Sequence, residues 1–410
     1  MNSEQLFGMA LGLHTPWQVD TIEFKSGTKG GEELHLTIGF ARGSRFADAS
    51  GQACPVHDTV KRTWQHLNFF EHACYLHCQV PRIKTGDGRV ETVAVPWARP
   101  GSGFTLLFEA LAMALIEREM PIKRVAEMLG VNPQRVWTVF KHWVCEARKR
   151  DDPSTVTRLG FDETSSRKGH DYITLGVDMD AKRLLHAVPG KGADAIVAIQ
   201  RYLASQEVKP EQIVEASMDM SPAFMAGVGK AFPKAKITFD RFHVVKLLNE
   251  AMDTVRKLER REHEALKGHK YTFLKDWERL SNKRRLELVK LMDDYPTLGE
   301  AYRLKALFND LWAMPNPAAA CAHLTAWSEE VQRAGIQPFL QFAKTVKAHW
   351  TGIVRFIESR LTNGLLEGIN HKIQLAKRRA RGYRNIQNFI NMAYFLCGKL
   401  DFSFARRSPA

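Results

Sequence analysis

Apolar positions recur along this chain with two periods, and the changes between them divide it into segments. In residues 1–98 only a short stretch, ELHLTIGF (Glu33–Phe40), alternates as a strand does; the rest is Gly-rich and is expected to be irregular. RPGSG (Arg99–Gly103) has the composition of a linker. From Phe104 to about Lys149 apolar residues return every three or four positions, the period of a helix, and the expected unit is 104–150. After Asp151-Asp152-Pro153-Ser154 the pattern changes again. RLGFDETS, DYITLGVDMD and KRLLHAVPG read as three strands in close succession, followed by helix ADAIVAIQRYLAS, strand QIVEASMDM, helix SPAFMAGVGKAF and strand KITFDRFHVV, within 155–245. That order predicts an antiparallel meander joined to a parallel edge. Residues 246–352 are mostly charged amphipathic helix, broken at YPTLGE and MPNPAA, and 353–402 return to helix with one basic run.

Composition narrows the classes. A chain of 410 residues with 44% hydrophobic and 25% charged residues can bury two or three cores and is not a disordered polymer. It has no apolar run long enough for a membrane span and no basic, cleavable leader, so a cytoplasmic, nucleoid-associated protein with no membrane partner is expected. Six cysteines in a chain this long are no disulfide framework. The formal net charge of +14 favours a polyanionic partner through counterion release, nucleic acid first.

Three motifs carry candidate chemistry. In MPIKRVAEMLGVNPQRVWTVFKHWV, a short helix carrying Val125, Ala126 and Leu129 ends at Gly130, and a second begins near Pro133. Helix, glycine turn and helix is the helix-turn-helix pattern, which would put Asn132, Gln134 and Arg135 at the groove-entering end of the second helix. An ordinary helical hairpin fits the same spacing. Asp162 and Asp219 each stand where an apolar strand runs out. A carboxylate among Val, Ile, Met or Phe is costly unless paired or metal-bound, and two on neighbouring strands could share divalent cations. Asp at a strand end also forms turns and caps, and Asp219-Met220-Ser221-Pro222 equally fits a helix start. Finally, Glu367 sits in a helical segment opened by Thr362-Asn363, and Asn363, Glu367 and Asn370 or His371 share its polar face. Lys372, Lys377, Arg378, Arg379, Arg381 and Arg384 follow without an intervening acid, as phosphate-binding groups or as a solvated face.

GFDETSSRKGHDYITLGVD, SMDMSPAF, FDRFHVVKLLNEAMD and TNGLLEGINHKIQLAKRRARGYRN, in this order, resemble catalytic segments of the DDE transposases of bacterial insertion sequences, most closely the ISL3 family. The resemblance covers about residues 54–400. It implies an α/β (α+β) fold class: an RNase H-like core in 155–245 and 353–402, interrupted by an all-helical insertion in 246–352 and preceded by a zinc-ribbon-like module and a helix-turn-helix. Asp162, Asp219 and Glu367 occupy the positions of the family's three catalytic acids, and the segment separating Asp219 from Glu367 is far too long for a single loop. The resemblance further implies that these acids hold two Mg²⁺ ions, Mn²⁺ being able to substitute, with Asp162 bridging both. Asp240 and His243 of FDRFH match an Asp-x-x-His pattern of transposases and are expected as accessory groups, a structural histidine fitting as well.

Family members often carry a zinc-ribbon-like module at the N-terminus, and this sequence departs from its pattern. Cys54 and His57 could form one knuckle, but Lys84-Thr85-Gly86-Asp87-Gly88 stands where the second would be. Cys74 and Cys78, with His72 and His77 nearby, could replace it in binding Zn²⁺, at a spacing that is not standard. The other reading is a degenerate module held by Trp64, Phe69, Phe70 and Trp97. The function expected from the whole is a DNA transposase that binds the terminal inverted repeats of its element as a homodimer or higher homo-oligomer, and cuts and joins double-stranded DNA. The alternatives are an RNase H-like nuclease without strand transfer and a non-catalytic DNA-binding regulator.

Overall fold

The fold is that of a computed structural model, which describes residues 1–403 apart from 28, 29, 168, 170, 362 and 363. The chain divides into two compact units, Met1–Arg150 with the segment from Leu400, and Asp151–Lys399. Among the described residues no helix is long and apolar enough to cross a membrane.

The first unit is not irregular. After helix α1 (Ser3–Ala10), strands β1 (Trp17–Ser26), β2 (Glu32–Phe40), β3 (Arg45–Ala47), β4 (Ala53–Phe69), β5 (His72–Lys84) and β6 (Val90–Thr92) form one sheet of order β1-β2-β5-β4-β3, with β6 on β5. β2 and β5 run parallel and the other pairs are antiparallel. The inward positions are Leu34, Leu36 and Ile38 on β2, Cys74, Leu76, Cys78 and Val80 on β5, and Trp64 on β4, all buried. Period-2 burial was therefore present from Cys74 onward. It was obscured because two of the inward residues are cysteines and the alternate positions carry His, Tyr and Gln. Trp64 and Trp97 meet edge to face with ring centroids 5.6 Å apart, and they belong to this core. Phe69 and Phe70 do not hold the module, since they lie exposed at the β4–β5 turn.

Helices α2 (Leu106–Glu117), α3 (Ile122–Met128) and α4 (Pro133–Lys149) complete this unit. Gly130 takes φ +65° between α3 and α4, a conformation that costs glycine little. Asn132 caps α4, its side chain accepting from the Gln134 N–H at 2.8 Å, with Pro133 at the first helical position. The fully buried Glu109 binds the Arg99 guanidinium (2.9 Å), the Ser102 hydroxyl (2.6 Å) and the Trp143 indole N–H (2.7 Å), which ties the Arg99–Gly103 segment to α2 and α4.

The second unit holds a five-stranded sheet of β7 (Arg158–Ser165), β8 (Tyr172–Asp178), β9 (Arg183–Pro189), β10 (Glu215–Met218) and β11 (Lys236–Phe239), in the order β11-β10-β7-β8-β9. β7, β8 and β9 are the antiparallel meander, and β10 and β11 add to β7 in parallel, as the strand–helix order predicts. Helices α5 (Ala193–Ser205) and α6 (Pro222–Ala231) make the crossovers. β8 is buried at every position after Tyr172, the mark of a sheet covered on both faces. Two glycines let the helices approach: a Cβ at Gly176 would meet Ile199 of α5 at 2.9 Å, and one at Gly160 would meet Leu366 at 3.2 Å.

α7 (Arg241–Glu262), α8 (Lys270–Leu274), α9 (Asn282–Asp294), α10 (Pro296–Asn309), α11 (Pro317–Ala334), α12 (Gln337–Ala348) and α13 (Trp350–Ser359) form the helical segment between β11 and the last two helices. Its apolar side is continuous with the α5/α6 face of the sheet: one buried cluster runs from Phe161, Ile196 and Phe224 to Phe308, Trp327 and Phe356. The described residues then continue with α14 (Gly364–Arg379) and α15 (Ile386–Cys397), which cover the other face through Leu366, Ile369, Ile373 and Phe389.

Candidate active site

The acids stand where the topology puts strand ends together. β10 pairs with β7 in parallel through Ser217 and Gly160, and with β11 through Met218 and Phe239. Continuing both registers brings Asp162, in the middle of β7, level with Asp219 and Asp240, which stand just past the carboxyl ends of β10 and β11. Alternation places Asp162 on the same face as Gly160, the face that Leu366 of α14 covers. Asp219 sits just past β10 and accepts the Ser221 N–H at 3.0 Å, while Ser221 caps α6. Asp240 caps α7, accepting the Phe242 N–H at 3.1 Å, and binds Nδ1 of His243 at 3.0 Å. The turn role weighed for Asp219 is therefore real, Ser221 and not Asp219 being the cap of α6, and Asp240 adds a cap that the sequence reading did not weigh.

Electrostatics follow from the crowding. Burial pushes the Asp162 carboxyl up to about 6, and the neighbouring charges of Asp219 and Asp240 act in the same direction, against the Glu163 N–H and the His243 ring. His243 is raised above its ordinary range, first by its hydrogen bond to Asp240, then by the charges of Asp240, Asp219 and Asp162. Glu163, on the opposite face from Asp162, is raised by burial and by Asp219. Sequence reading passed over this fourth acid, since adjacency to Asp162 put it on the other side of a strand.

α14 lies along β7 through one stripe of polar side chains. Asn370 donates to Oδ2 of Asp162, whose Oδ1 takes the Glu163 N–H at 2.7 Å. Gln374 donates to the Thr164 hydroxyl (2.7 Å) and the Ser165 carbonyl (2.8 Å), and Lys377 donates to the same carbonyl at 2.6 Å. Of the two alternatives on this helix, Asn370 therefore faces the acids, whereas His371 is exposed. Glu367 occupies the first turn, one turn before Asn370, and is exposed. Among the described residues no hydrogen bond or ion pair reaches its carboxylate, and Thr362 and Asn363 lie outside the described residues. Asp162, Asp219 and Asp240 are thus close enough to act on one another's charge, whereas Glu367 stands exposed on the first turn of α14 without joining them.

The basic run divides in the same way. Lys377 is spent on the Ser165 carbonyl, while Lys372, Arg378, Arg379, Arg381 and Arg384 are exposed. Arg381 closes α14 at φ +56°. In the other unit, the Arg135 guanidinium lies 3.9 Å from the centre of the Phe104 ring and reaches Oε1 of Gln65 (3.4 Å) and the Gly103 carbonyl (3.3 Å). It braces α4 on the sheet. Gln134 beside it is exposed.

The proposed zinc ligands do not come together. Cys54 packs in a small cluster with Phe46 and Ile83, whereas Cys74 and Cys78 belong to the core around Leu34, Leu36 and Leu76. Burial pushes the thiols of Cys74 and Cys78 up to about 11 and about 12, as befits core residues. His57 is exposed, and His77 is bonded to His35 (2.7 Å) and Thr63 (2.9 Å). These residues do not fit a zinc ribbon: an apolar one-sided sheet stands where one was expected. Among the described residues, no group of three or more His, Cys, Asp or Glu side chains is gathered closely enough to hold a metal ion as it stands.

A DDE transposase model of the ISL3 type matches residues 159–393, which span β7 to α15 and all the acids above. The chain belongs to the ISL3 family of transposases. The helix-turn-helix domain of transposase family ISL3 matches residues 93–144, the segment of α2, α3 and most of α4. This ISL3 chain is also 26% identical over 426 residues to the transposase for insertion sequence element IS1557 of Mycobacterium tuberculosis, across 96% of this chain and 95% of that one. It is 27% identical over 361 residues to the transposase for IS1001 of Bordetella parapertussis, across 84% and 86%.

Proposed function

We propose that this chain is a DNA transposase that binds the terminal inverted repeats of its insertion sequence, cuts the 3′ ends and joins them to a target duplex. The observation that carries this reading is the row of Asp162 on β7 with Asp219 and Asp240 at the ends of the adjoining β10 and β11, within the family match. The strand order, with an antiparallel meander and two parallel strands, supports an RNase H-like core, and α7–α13 stand where the helical insertion would be.

Asp162, Asp219 and Glu367 are the residues that would hold Mg²⁺, or Mn²⁺ in its place. The donor set fits: hard carboxylate oxygens, with Asp162 buried beside two like charges whose repulsion a cation would relieve. When bound, such ions would supply Lewis-acid chemistry, activating a water or 3′-hydroxyl and stabilising the departing oxygen. The chain's own groups do the rest. Asp240 hydrogen-bonds His243 and, with the neighbouring acids, favours the protonated form of its ring at the rim of the acids. Exposed Lys372, Arg378, Arg379, Arg381 and Arg384 bind phosphates along the duplex. The N-terminal end of α4 enters the major groove with Gln134 as base reader, while Asn132 and Arg135 set its position. Because two ends must be held at once, a homodimer or higher homo-oligomer forms on DNA.

The test is incubation of the full chain with Mg²⁺, a labelled inverted-repeat end and supercoiled plasmid. Joined products are expected. Cleavage without joining would make the protein a nuclease of the same fold. Binding without either would make it a DNA-binding regulator.

A further inference from the structure

Asn370 of α14 is hydrogen-bonded to the acid row, and only half of its amide is used. Its Nδ2 donates to Oδ2 of Asp162, while its Oδ1 is buried with no hydrogen-bond partner. An ionised carboxylate only accepts, so the nitrogen end must face Asp162, and the oxygen is left as an acceptor without a donor. A buried acceptor left without a donor calls for an explanation, and beside a row of acids a water or ion arriving in use supplies one. With Glu163 N–H on one oxygen and Asn370 on the other, both oxygens of Asp162 are aimed from protein groups. The same amide anchors the first turns of α14, where Glu367 sits one turn away.

We propose that Asn370 is a positioning residue of the acid site: it orients the Asp162 carboxylate, ties the helix carrying Glu367 to β7, and offers its free oxygen to a water of the bound cation. The inference rests on the reading of Asp162 as a cation ligand. Outer-shell groups of this kind set the angle and basicity of the ligand they touch, and removing one typically weakens metal binding about 10–100-fold.

The experiment titrates Mn²⁺ alone into the full chain, followed by electron paramagnetic resonance, with Asp162→Ala as reference and thermal melts as the control for folding. Asp162-dependent Mn²⁺ binding is expected in the wild type, and about tenfold weaker both in Asn370→Ala and in Asn370→Leu, which keeps the volume of the side chain but cannot donate to Asp162. A role in packing alone predicts that Asn370→Leu binds Mn²⁺ as the wild type does. Should Asn370→Ala melt too low to titrate, Asn370→Ser is used, since its hydroxyl is too short to reach Asp162. Asp162-dependent binding that is unmoved in a folded Asn370→Ala or Asn370→Ser protein overturns the Asn370 inference and leaves the catalytic reading standing. Absence of Asp162-dependent binding in the wild type overturns both.

Discussion

The two units each contain a sheet, and the sheets use burial differently. In the N-terminal unit the sheet has one wet face: Leu34, Leu36, Leu76 and Val80 point into the core, and His35, Tyr75 and His77 stand half-buried on the outside, His77 hydrogen-bonded to His35 and Thr63 and Tyr75 stacked on His35. Its polar groups lie on the face of the sheet, where water remains available. In the second unit both faces are covered, and Asp162, inside β7, stands level with Asp219 and Asp240 at the ends of β10 and β11. The ladder between β10 and β7 stops at Gly160, so Asp162 lies beyond that pairing, perturbed by burial and by the two neighbouring acids. The comparison teaches that a covered parallel edge concentrates charge at its carboxyl end, whereas a one-sided sheet spreads it.

The largest effect that could break this contrast lies at those ends. Asp162→Ala, Asp219→Ala or Glu367→Ala is expected to lower strand cleavage by on the order of 10³-fold or more, the scale seen when a preorganised charge-stabilising group is removed. Binding of the inverted-repeat end, measured by gel shift, is expected to persist in each variant. Near wild-type cleavage in all three would leave the row of acids without a catalytic role. The next effect is on stability: Phe161 is almost fully buried in the large cluster beside Phe232, and Phe161→Ala is expected to cost about 3–5 kcal/mol in denaturant unfolding. A loss below about 1 kcal/mol would mean that the two-sided packing is looser than described.

The one-sided sheet has its own signature, in pH. His66 is pushed down to about 4 by burial, and its Nδ1 lies 2.8 Å from the Thr105 hydroxyl. The unfolded chain takes up a proton at this histidine below about 6.5, and the folded chain only near 4. Stability is therefore unaffected above about 6.5, falls as pH drops through that window, and levels off below it, by at most about 3 kcal/mol. Denaturant midpoints measured from pH 7.5 to 4 are expected to show this decline, and His66→Gln to flatten part of it. Equal slopes in wild type and variant would remove His66 as the cause.

Much of the catalytic unit was legible because its signals are local. Asp162 and Asp219 stand at ends of apolar runs, and strands separated by helices read directly as a parallel edge. Glu367 and Asn370 share a helical face by spacing alone, but that spacing does not say which of Asn370 and His371 turns toward β7; Leu366 seated on Gly160 decides it. The N-terminal unit was poorly legible for the converse reason. Its inward positions include Cys54, Cys74 and Cys78, whose chemistry drew attention from their burial, and its strand pairing is nonlocal, β2 lying beside β5. Arg135 shows the same limit: its place at the start of α4 was plain, but the Phe104 ring that captures it lies 31 residues earlier, in a segment that read as the edge of a linker.

The smallest effect separates two roles that coincide at Asn132. Its side chain accepts the Gln134 N–H and so satisfies one of the free donors at the start of α4. Losing that bond in Asn132→Ala is expected to cost about 1 kcal/mol, a fall of a few degrees in melting temperature. Asp caps as well as Asn, so Asn132→Asp is expected to restore the melting temperature. It also places a negative charge at the helix end that approaches phosphates, so DNA affinity is expected to drop in Asn132→Asp and to stay near wild type in Asn132→Ala once folding is allowed for. If α4 were merely one arm of a helical hairpin, its start would face no polyanion and the added charge would go unnoticed. Equal affinities in Asn132→Asp and wild type, at low salt and with matched stability, would then move the DNA-reading surface away from this helix.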